Sequence, residues 1–334
     1  MLQDSYGRSI DYLRISLTDR CNYRCRYCMP EEGIAWKCHD EILSLEDIAY
    51  FVKVVSSYGI KHIRLTGGEP LVRPGVSKLI KQLKSIEGIE NIALTTNGAL
   101  LPKMADELKD AGLDRVNISL DTLDEESFRY ITRRGKLSEA LEGIEAALKA
   151  GFNPVKVNCV VVRSLKQNLL DFIKMTVDKP IHVRFIEYMP VGASAGFDDT
   201  GWSEKDTIPN HELIELIKDI SAQAGLGEMQ PADKSRPTGF GPAQYYKLPQ
   251  ALGTLGFIAA RSNHFCSSCN RLRLTADGQL RPCLFSDKEY EVKEAIKNRD
   301  EAGVRKAFET ALHLKPESHE DKIGTHRMMS QIGG

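Results

Sequence analysis

Three cysteines in one short loop are the residues of this chain that point most directly to chemistry. Cys21, Cys25 and Cys28 follow a short apolar run, and no fourth cysteine follows at a matching interval. Thiolates favour zinc and iron–sulfur clusters. A structural zinc ion takes four ligands, and a [4Fe–4S] cube also has four irons to ligate. Three thiols therefore predict a cube with one iron open to a small molecule, with a redox or zinc-binding loop as the alternative.

A second group of three cysteines lies near the other end of the chain. Cys266 and Cys269 form a close pair, and Cys283 follows after a short interval. His264 could complete a zinc site of three cysteines and one histidine. Directly after the pair, Arg271 and Arg273 alternate on a β-like run. Because planar guanidinium groups match phosphate oxygens, these surroundings favour a cluster beside a phosphate-bearing ligand over a structural zinc ion.

The first cysteine spacing, with Tyr27 directly before Cys28, resembles the signature of the radical S-adenosylmethionine (SAM) superfamily. The resemblance implies that the open iron binds SAM and that one electron splits it to give a 5′-deoxyadenosyl radical. A second match is Gly67-Gly68-Glu69-Pro70, which resembles the GGEP motif of the superfamily. The residues that the resemblance assigns to SAM binding are Tyr27, Gly67, Gly68, Glu69, Ser119 and Met189.

The fold predicted for the chain is α/β, because β-like runs alternate with amphipathic helical windows up to residue 189. Six such units predict parallel strands with right-handed crossovers, and the two further units of a closed barrel are not found. We therefore expect a partial (β/α)6 barrel of the TIM type, with function at the carboxyl ends of its strands. The predicted strands are residues 12–17, 62–66, 91–96, 115–120, 155–161 and 182–188.

The predicted division of the chain places the radical SAM partial barrel in residues 1–205. Residues 206–334 are predicted to form an α+β extension that carries the second cluster, one helical stretch at 288–314 and a functional Gly-Gly tail.

Cations occupy alternate positions of the predicted strands, at Arg14, Arg64 and Lys156. Successive strand side chains point to opposite faces of a sheet, so these three are expected to share one face. Buried cations are costly unless an anion accompanies them. We therefore expect a hydrated, anionic ligand inside the barrel. The alternative is that this face is the solvent side of an open sheet.

A more specific resemblance comes from residues 269–278, from residues 281–285 and from the final Ile332-Gly333-Gly334. These segments resemble the molybdenum cofactor biosynthesis protein A family, the GTP 3′,8-cyclases. The resemblance implies a second [4Fe–4S] cluster, held by Cys266, Cys269 and Cys283, whose open iron binds the guanine of GTP. The implied GTP-binding residues are Arg14, Arg64, Thr95, Lys156, Arg271 and Arg273, of which Arg14, Arg64 and Lys156 are also expected to be catalytic.

The reaction implied by this resemblance is the first step of molybdenum cofactor biosynthesis. The 5′-deoxyadenosyl radical takes the hydrogen from ribose C3′ of GTP, and the carbon radical attacks guanine C8 to give 3′,8-cyclo-7,8-dihydro-GTP. A reductant such as flavodoxin or ferredoxin and transfer of the product to cyclic pyranopterin monophosphate synthase are implied as well. The assembly is expected to be a homodimer or a monomer.

Charge and hydropathy limit the other possibilities. Lys and Arg total 45 against 46 Asp and Glu, so no excess charge indicates nucleic acid or membrane binding. No apolar run approaches the roughly 18 residues of a membrane span, and the first residues have no signal-peptide pattern. We expect a cytoplasmic protein. A radical SAM peptide-modifying enzyme with an auxiliary cluster, and a non-enzymatic iron–sulfur or zinc-binding module, stay open as alternative functions.

Overall fold

Six parallel strands form the centre of one sheet, in the order of the sequence. The computed structural model describes residues 3–35, 37–38, 40–191, 202–232, 237–259, 261–319 and 325–333. Each of the six strands lies within two residues of its predicted bounds, which confirms the predicted β/α units. The strands are β1 Tyr12–Ser16, β2 His62–Thr66, β3 Asn91–Thr96, β4 Arg115–Ser119, β5 Val155–Val161 and β6 Ile181–Glu187.

Six helices connect or follow these strands, and the first begins where its sequence indicates. The Ser44 hydroxyl accepts the N–H of Asp47 at 3.0 Å, and the Asp47 carboxylate accepts the N–H of Ser44 at 3.1 Å. This reciprocal capping satisfies two backbone donors at the helix start. The helices are α1 Leu45–Ser56, α2 Val76–Lys84, α3 Leu101–Asp110, α4 Glu125–Thr132, α5 Leu137–Lys149 and α6 Leu169–Asp178.

The two faces of the central sheet differ in polarity. Leu13 and Ile15 of β1 belong to the hydrophobic core, together with the apolar faces of the helices. Each such side chain stabilises the fold by about 1.5–3 kcal/mol when it is fully buried. The alternate positions carry polar groups, and Arg64, Asn117 and Lys156 are buried as well. The polar face is therefore enclosed by protein, and the alternative of an open, solvent-facing sheet is wrong.

The extension adds strands to both edges of this sheet. Strand β10 (Arg271–Leu274) pairs in parallel with β1, and strand β9 (Thr254–Ile258) pairs in parallel with β6. In the part of the chain that the structure describes, one sheet of twelve strands thus contains elements from both sides of residue 205. The division into two units stays a prediction. The elements of the extension are α7 Asn210–Gln223, β7 Gln230–Pro231, β8 Gln244–Lys247, β9 Thr254–Ile258, β10 Arg271–Leu274, β11 Gln279–Arg281, β12 Tyr290–Glu291, α8 Lys293–Lys297, α9 Glu301–His313 and α10 Met329–Ile332.

The single helical stretch predicted at residues 288–314 is wrong, because two helices, α8 and α9, occupy it. Arg299 between them has φ of 54°, a left-handed conformation that a helix interior does not contain. Asp300 then caps α9 by accepting the N–H of Gly303 at 2.9 Å. In the predicted Gly-Gly tail, Gly333 is described, whereas Gly334 lies outside the described residues.

Candidate active site

The loop with the first three cysteines is held by the end of α4. The N–H of Arg24 donates to the carbonyl of Thr132 at 3.0 Å, and the N–H of Arg26 donates to that of Ile131 at 2.9 Å. The Arg133 guanidinium also donates to the Arg24 carbonyl, at 2.9 Å. The loop therefore depends on residues more than a hundred positions away, which no local sequence pattern indicates.

The Gly-Gly turn after β2 packs against the backbone of the same loop. A Cβ atom on Gly67 would lie 2.4 Å from the Thr18 carbonyl oxygen, and one on Gly68 would lie 2.2 Å from that of Arg20. Gly67 also has φ of 140°. The Gly68 N–H donates to the Thr18 carbonyl at 2.7 Å. Only glycine allows this approach of two backbones.

The Glu69 carboxylate accepts hydrogen bonds from groups within the protein. Its carboxylate accepts the Thr96 hydroxyl at 2.7 Å, the Asn97 N–H at 2.7 Å and the Leu71 N–H at 3.1 Å. Burial raises the pKa of Glu69 to about 7, although these three donors lower it. The side chain thus fastens the turn after β2 to the end of β3, a role that its position in the motif does not indicate. Its predicted part in SAM binding stays a prediction.

A cavity at the carboxyl ends of the strands brings the predicted SAM residues together with the first cysteine group. Burial raises the pKa of the Cys21 thiol to about 12. The Tyr27 hydroxyl donates to Asp121 at 2.6 Å, and burial raises the pKa of Asp121 to about 6. Sequence reasoning missed Asp121, although it lies two residues beyond Ser119. The predicted residues on the wall of this first cavity are Cys21, Cys25, Cys28, Tyr27, Gly67, Gly68, Glu69, Thr95, Ser119 and Met189.

The segment that leads to the second cysteine group is anchored at the end of β6. The buried Glu187 carboxylate accepts the N–H groups of Asn210 at 2.8 Å, of Arg261 at 2.7 Å and of Ser262 at 3.1 Å. Glu187 was also missed, because its donors come from elements far away in the sequence.

A second cavity holds the other three cysteines opposite the arginines of the barrel. Arg14 lies in register with Arg64 on β2 and with Arg273 on β10. Burial lowers the pKa of Arg273 to about 10, so its guanidinium stays charged at neutral pH. Burial and the neighbouring Arg273 and Arg64 lower the pKa of Arg14 as well. The predicted residues on this wall are Arg14, Arg64, Met189, Cys266, Cys269, Arg271, Arg273 and Cys283.

The buried polar atoms on the walls of the two cavities include five, on Tyr12, Arg64, Thr95, Asn158 and Arg184, that have no hydrogen-bond partner within the described ranges. An unsatisfied buried polar group costs about 1–3 kcal/mol, so these walls are built for a polar ligand. Arg184 is among the residues, and sequence reasoning missed it although it follows the same alternation on β6. The atoms are Tyr12 Oη, Arg64 Nε, Thr95 Oγ1, Asn158 Oδ1 and Arg184 Nε.

Lys156 is placed apart from these walls. Its ammonium donates to the Thr238 carbonyl at 2.7 Å, which also accepts the Arg115 guanidinium at 2.9 Å. Lys156 is not among the residues that line either cavity. Its predicted roles in catalysis and in GTP binding stay predictions.

The two cavities adjoin each other, and the end of the chain reaches them. Asn158, Ile186, Met189 and Met329 line both. The two cysteine groups therefore open onto neighbouring spaces at one end of the barrel.

Gly333 reaches the polar walls. Its carbonyl accepts the Arg273 guanidinium. A Cβ atom on Gly333 would lie 2.5 Å from Thr66 Cγ2, so a side chain does not fit there without movement. The tail thus forms part of the enclosure.

Over the described ranges, no group of three or more His, Cys, Asp or Glu side chains is arranged to hold a metal ion. His264, the possible fourth zinc ligand, instead lies with its Nδ1 2.8 Å from His319 Nε2. None of the helices in the described part of the chain has the length and apolarity that crossing a membrane requires.

Comparison with known proteins agrees with this geometry. The family model described as Radical SAM superfamily matches residues 15–175, and the one described as Molybdenum Cofactor Synthesis C matches residues 181–321. The fold, the cysteine loop and the Gly-Gly turn together define a radical SAM protein. Membership of that superfamily implies a [4Fe–4S] cluster and SAM.

Full-length relatives narrow the class further. The GTP 3′,8-cyclase of Petrotoga mobilis is 50% identical over 335 residues, which cover 99% of each chain. The GTP 3′,8-cyclase of Pelotomaculum thermopropionicum is 48% identical and covers 100% of each chain. This chain belongs to the GTP 3′,8-cyclase family.

Solved structures share the fold at low identity. SuiB of Streptococcus suis bound to S-adenosylmethionine is similar with a TM-score of 0.60 and 14% identity, over 86% of this chain and 64% of that one. Native anSMEcpe with bound AdoMet is similar with a TM-score of 0.58 and 15% identity, over 93% and 82%. These two similarities show the fold alone.

Proposed function

We propose that this chain converts GTP to 3′,8-cyclo-7,8-dihydro-GTP, with SAM in the first cavity and GTP in the second. Family membership over the full length supports the proposal. The observation that carries it is the set of buried arginines, together with buried polar atoms that have no hydrogen-bond partner among the described residues, between two groups of three cysteines. A triphosphate, a ribose and a guanine supply the negative charge and the hydrogen-bonding groups that such walls require.

The cysteines suit iron–sulfur clusters better than a zinc ion. The thiols of each group line a cavity wall without converging on one ion position, and a four-iron cube occupies more space than a single ion. We assign Cys21, Cys25 and Cys28 to a first [4Fe–4S] cluster. We assign the other group, Cys266, Cys269 and Cys283, to a second one.

The side chains of the walls supply binding and positioning. When bound, the first cluster and SAM supply the 5′-deoxyadenosyl radical that takes the ribose 3′ hydrogen. Guanidinium groups bind phosphate oxygens in pairs, and a fixed triphosphate holds ribose C3′ and guanine C8 in one orientation. Such orientation contributes several kcal/mol to catalysis, and enclosure protects the radical from side reactions. The proposed SAM set is Tyr27, Gly67, Gly68, Glu69, Ser119 and Met189. The proposed GTP set is Arg14, Arg64, Arg271 and Arg273 on the wall of the second cavity, with Thr95 on the wall of the first cavity and Lys156 on neither wall.

Further partners follow from the same proposal. The chain takes two electrons per turnover from a flavodoxin or ferredoxin in the cytoplasm, one to split SAM and one, with a proton, to reduce the radical that ring closure leaves. It passes its product to cyclic pyranopterin monophosphate synthase, and its assembly is a homodimer or a monomer. The shared fold does not favour the alternative of a peptide-modifying enzyme, since a triphosphate brings more negative charge to the buried arginines than a peptide carboxylate does.

Anaerobic reconstitution with iron, sulfide, SAM, reductant and GTP tests the proposal. We expect 5′-deoxyadenosine and a cyclised nucleotide in equal amounts. Cys25→Ala is expected to abolish SAM cleavage, and Arg271→Ala to weaken GTP binding while the iron content is unchanged. Formation of 5′-deoxyadenosine at the same rate with and without GTP contradicts the proposal.

A further inference from the structure

Lys315, just after α9, is buried beside the second cysteine group. Its side chain is part of the second cavity wall, and the residue is only 3% exposed. The ammonium donates to the Arg271 carbonyl at 2.9 Å and to the Pro282 carbonyl at 2.6 Å. Arg271 follows Cys269 closely and Pro282 directly precedes Cys283. One ammonium thus ties together the two segments that carry these cysteines.

Within the described ranges, no Asp or Glu lines the second cavity beside Lys315, whereas Cys269 and Cys283 share that wall with it. An ammonium buried without an anion costs several kcal/mol. The position is therefore favourable when a negatively charged group is bound beside these cysteines.

The two cysteine groups differ in the charged side chains beside them. Arg271 and Lys315 share the wall of the second cavity with Cys269 and Cys283, and no described residue of that wall is Asp or Glu. The wall of the first cavity instead includes Glu69 and Asp121. Negative charge on a bound group is thus stabilised more strongly at the second cysteine group.

A second clamp nearby shows what distinguishes Lys315. Arg8 donates to the Cys266 carbonyl at 2.8 Å and to the Glu317 carbonyl at 2.7 Å. Its charge, however, is balanced by Asp4 at 2.5 Å. Arg8 therefore fastens the backbone without leaving net charge. Lys315 fastens the backbone and also places a positive charge beside the cysteines.

We propose that Lys315 is a positioning residue of the second cysteine group that also raises the reduction potential of the cluster bound there. A nearby positive charge stabilises the electron that reduction adds, by Coulomb's law, and burial limits solvent screening of the interaction. The inference rests on the proposed second cluster. It implies that a buried cation raises the reduction potential of the second cluster and not that of the first.

Three substitutions separate the charge of Lys315 from its hydrogen bonds. Lys315→Met removes both, Lys315→Gln keeps N–H donors without charge, and Lys315→Arg keeps the charge. The matched control is Lys297→Met, because the Lys297 ammonium also donates to a carbonyl, that of Asp40 at 3.0 Å, but lies at the surface.

The experiment is a potentiometric titration of the reconstituted protein, followed by electron paramagnetic resonance. The signal that changes on addition of SAM reports the first cluster, and the other signal reports the second. We expect the second cluster to become harder to reduce in the Met and Gln variants. Its potential is expected to return towards the wild-type value with Arg and to be unchanged in Lys297→Met, while the first cluster keeps its potential throughout.

Each outcome of the titration either supports or contradicts the role of Lys315. An unchanged potential in Lys315→Met with both clusters present overturns it, and so does equal loss of the second cluster in the Met, Gln and Arg variants. Loss of the second cluster in the Met variant alone, with a more negative potential in the Gln variant, supports both roles of Lys315. Wild-type protein with only about four irons refutes the second cluster itself, and thereby the proposed function together with this inference.

Discussion

Arg273 illustrates why the buried cations of this protein indicate a ligand. Its guanidinium keeps its charge at a pKa of about 10 despite burial, and Arg14 lies beside it in register. Two guanidinium charges on neighbouring strands repel each other, and a bound anion offsets this repulsion. The arrangement is therefore stable with a bound polyanion and costly without one.

Arg273→Met is expected to lower GTP affinity about 10- to 100-fold, because a hydrogen bond to a charged group contributes about 1.5–3 kcal/mol. Equilibrium dialysis with GTP under argon measures the change, and iron content shows whether both clusters are retained. The control is Arg305→Met, which removes an exposed guanidinium paired with Glu309. Equal affinity of the two variants contradicts a phosphate role for Arg273.

Glu69 predicts a pH dependence of stability. Burial raises its pKa from 4.5 to about 7, so the folded protein holds this proton more tightly than the unfolded chain does. The stabilisation is fully present below about pH 4.5 and is lost as the pH rises to about 7. The advantage of wild type over Glu69→Gln in thermal unfolding midpoint is therefore expected to narrow between pH 5 and pH 8. A difference in unfolding midpoint between wild type and Glu69→Gln that stays constant or widens over this pH range contradicts the raised pKa of Glu69.

At the scale of elements, the Gly-Gly turn and the cysteine loop form one unit through backbone contact. Gly68→Ala would place a methyl group 2.2 Å from the Arg20 carbonyl, so the loop has to move. We expect loss of first-cluster iron and of SAM binding, measured by iron analysis and by the SAM-induced change in the electron paramagnetic resonance signal. Gly241→Ala is the control, because its Cβ would meet nothing within 4 Å. Normal SAM binding in Gly68→Ala would show that the close approach is not required.

The segment before α10 is held by one arginine that contacts two carboxylates. The Arg327 guanidinium donates to Asp277 at 3.1 and 3.0 Å and to Glu289 at 2.6 Å. These bonds position the segment whose Gly333 carbonyl meets Arg273. Arg327→Met is expected to lower the yield of cyclised nucleotide several-fold with unchanged iron content, as measured by chromatography of the products. A wild-type yield of cyclised nucleotide in Arg327→Met would show that the position of the tail does not affect catalysis.

Local sequence patterns predicted the central strands, because the alternation of β-like and helical runs is a property of neighbouring residues. They also predicted the inward-facing Arg14 and Arg64. They did not predict how α4 holds the cysteine loop, how Glu187 anchors the second segment, or the break at Arg299. The first two arise from contacts between distant parts of the chain, and the third from a single left-handed residue.

At the scale of the whole molecule, the extension completes the site by extending the sheet of the barrel. Because β10 pairs with β1, Arg273 comes to lie beside Arg14, and the two cavities share part of their walls. Neither half of the chain contains both cysteine groups. The proposed reaction therefore requires the full chain.

The most direct test counts iron and sulfide per chain and measures GTP affinity in the same anaerobic preparations. Wild type is compared with two variants, each with one cysteine group replaced by alanine. We expect about eight irons in wild type and about four in each variant, with GTP affinity lost only when the second group is replaced. About four irons in wild type, or full GTP affinity without Cys266, Cys269 and Cys283, would contradict the account.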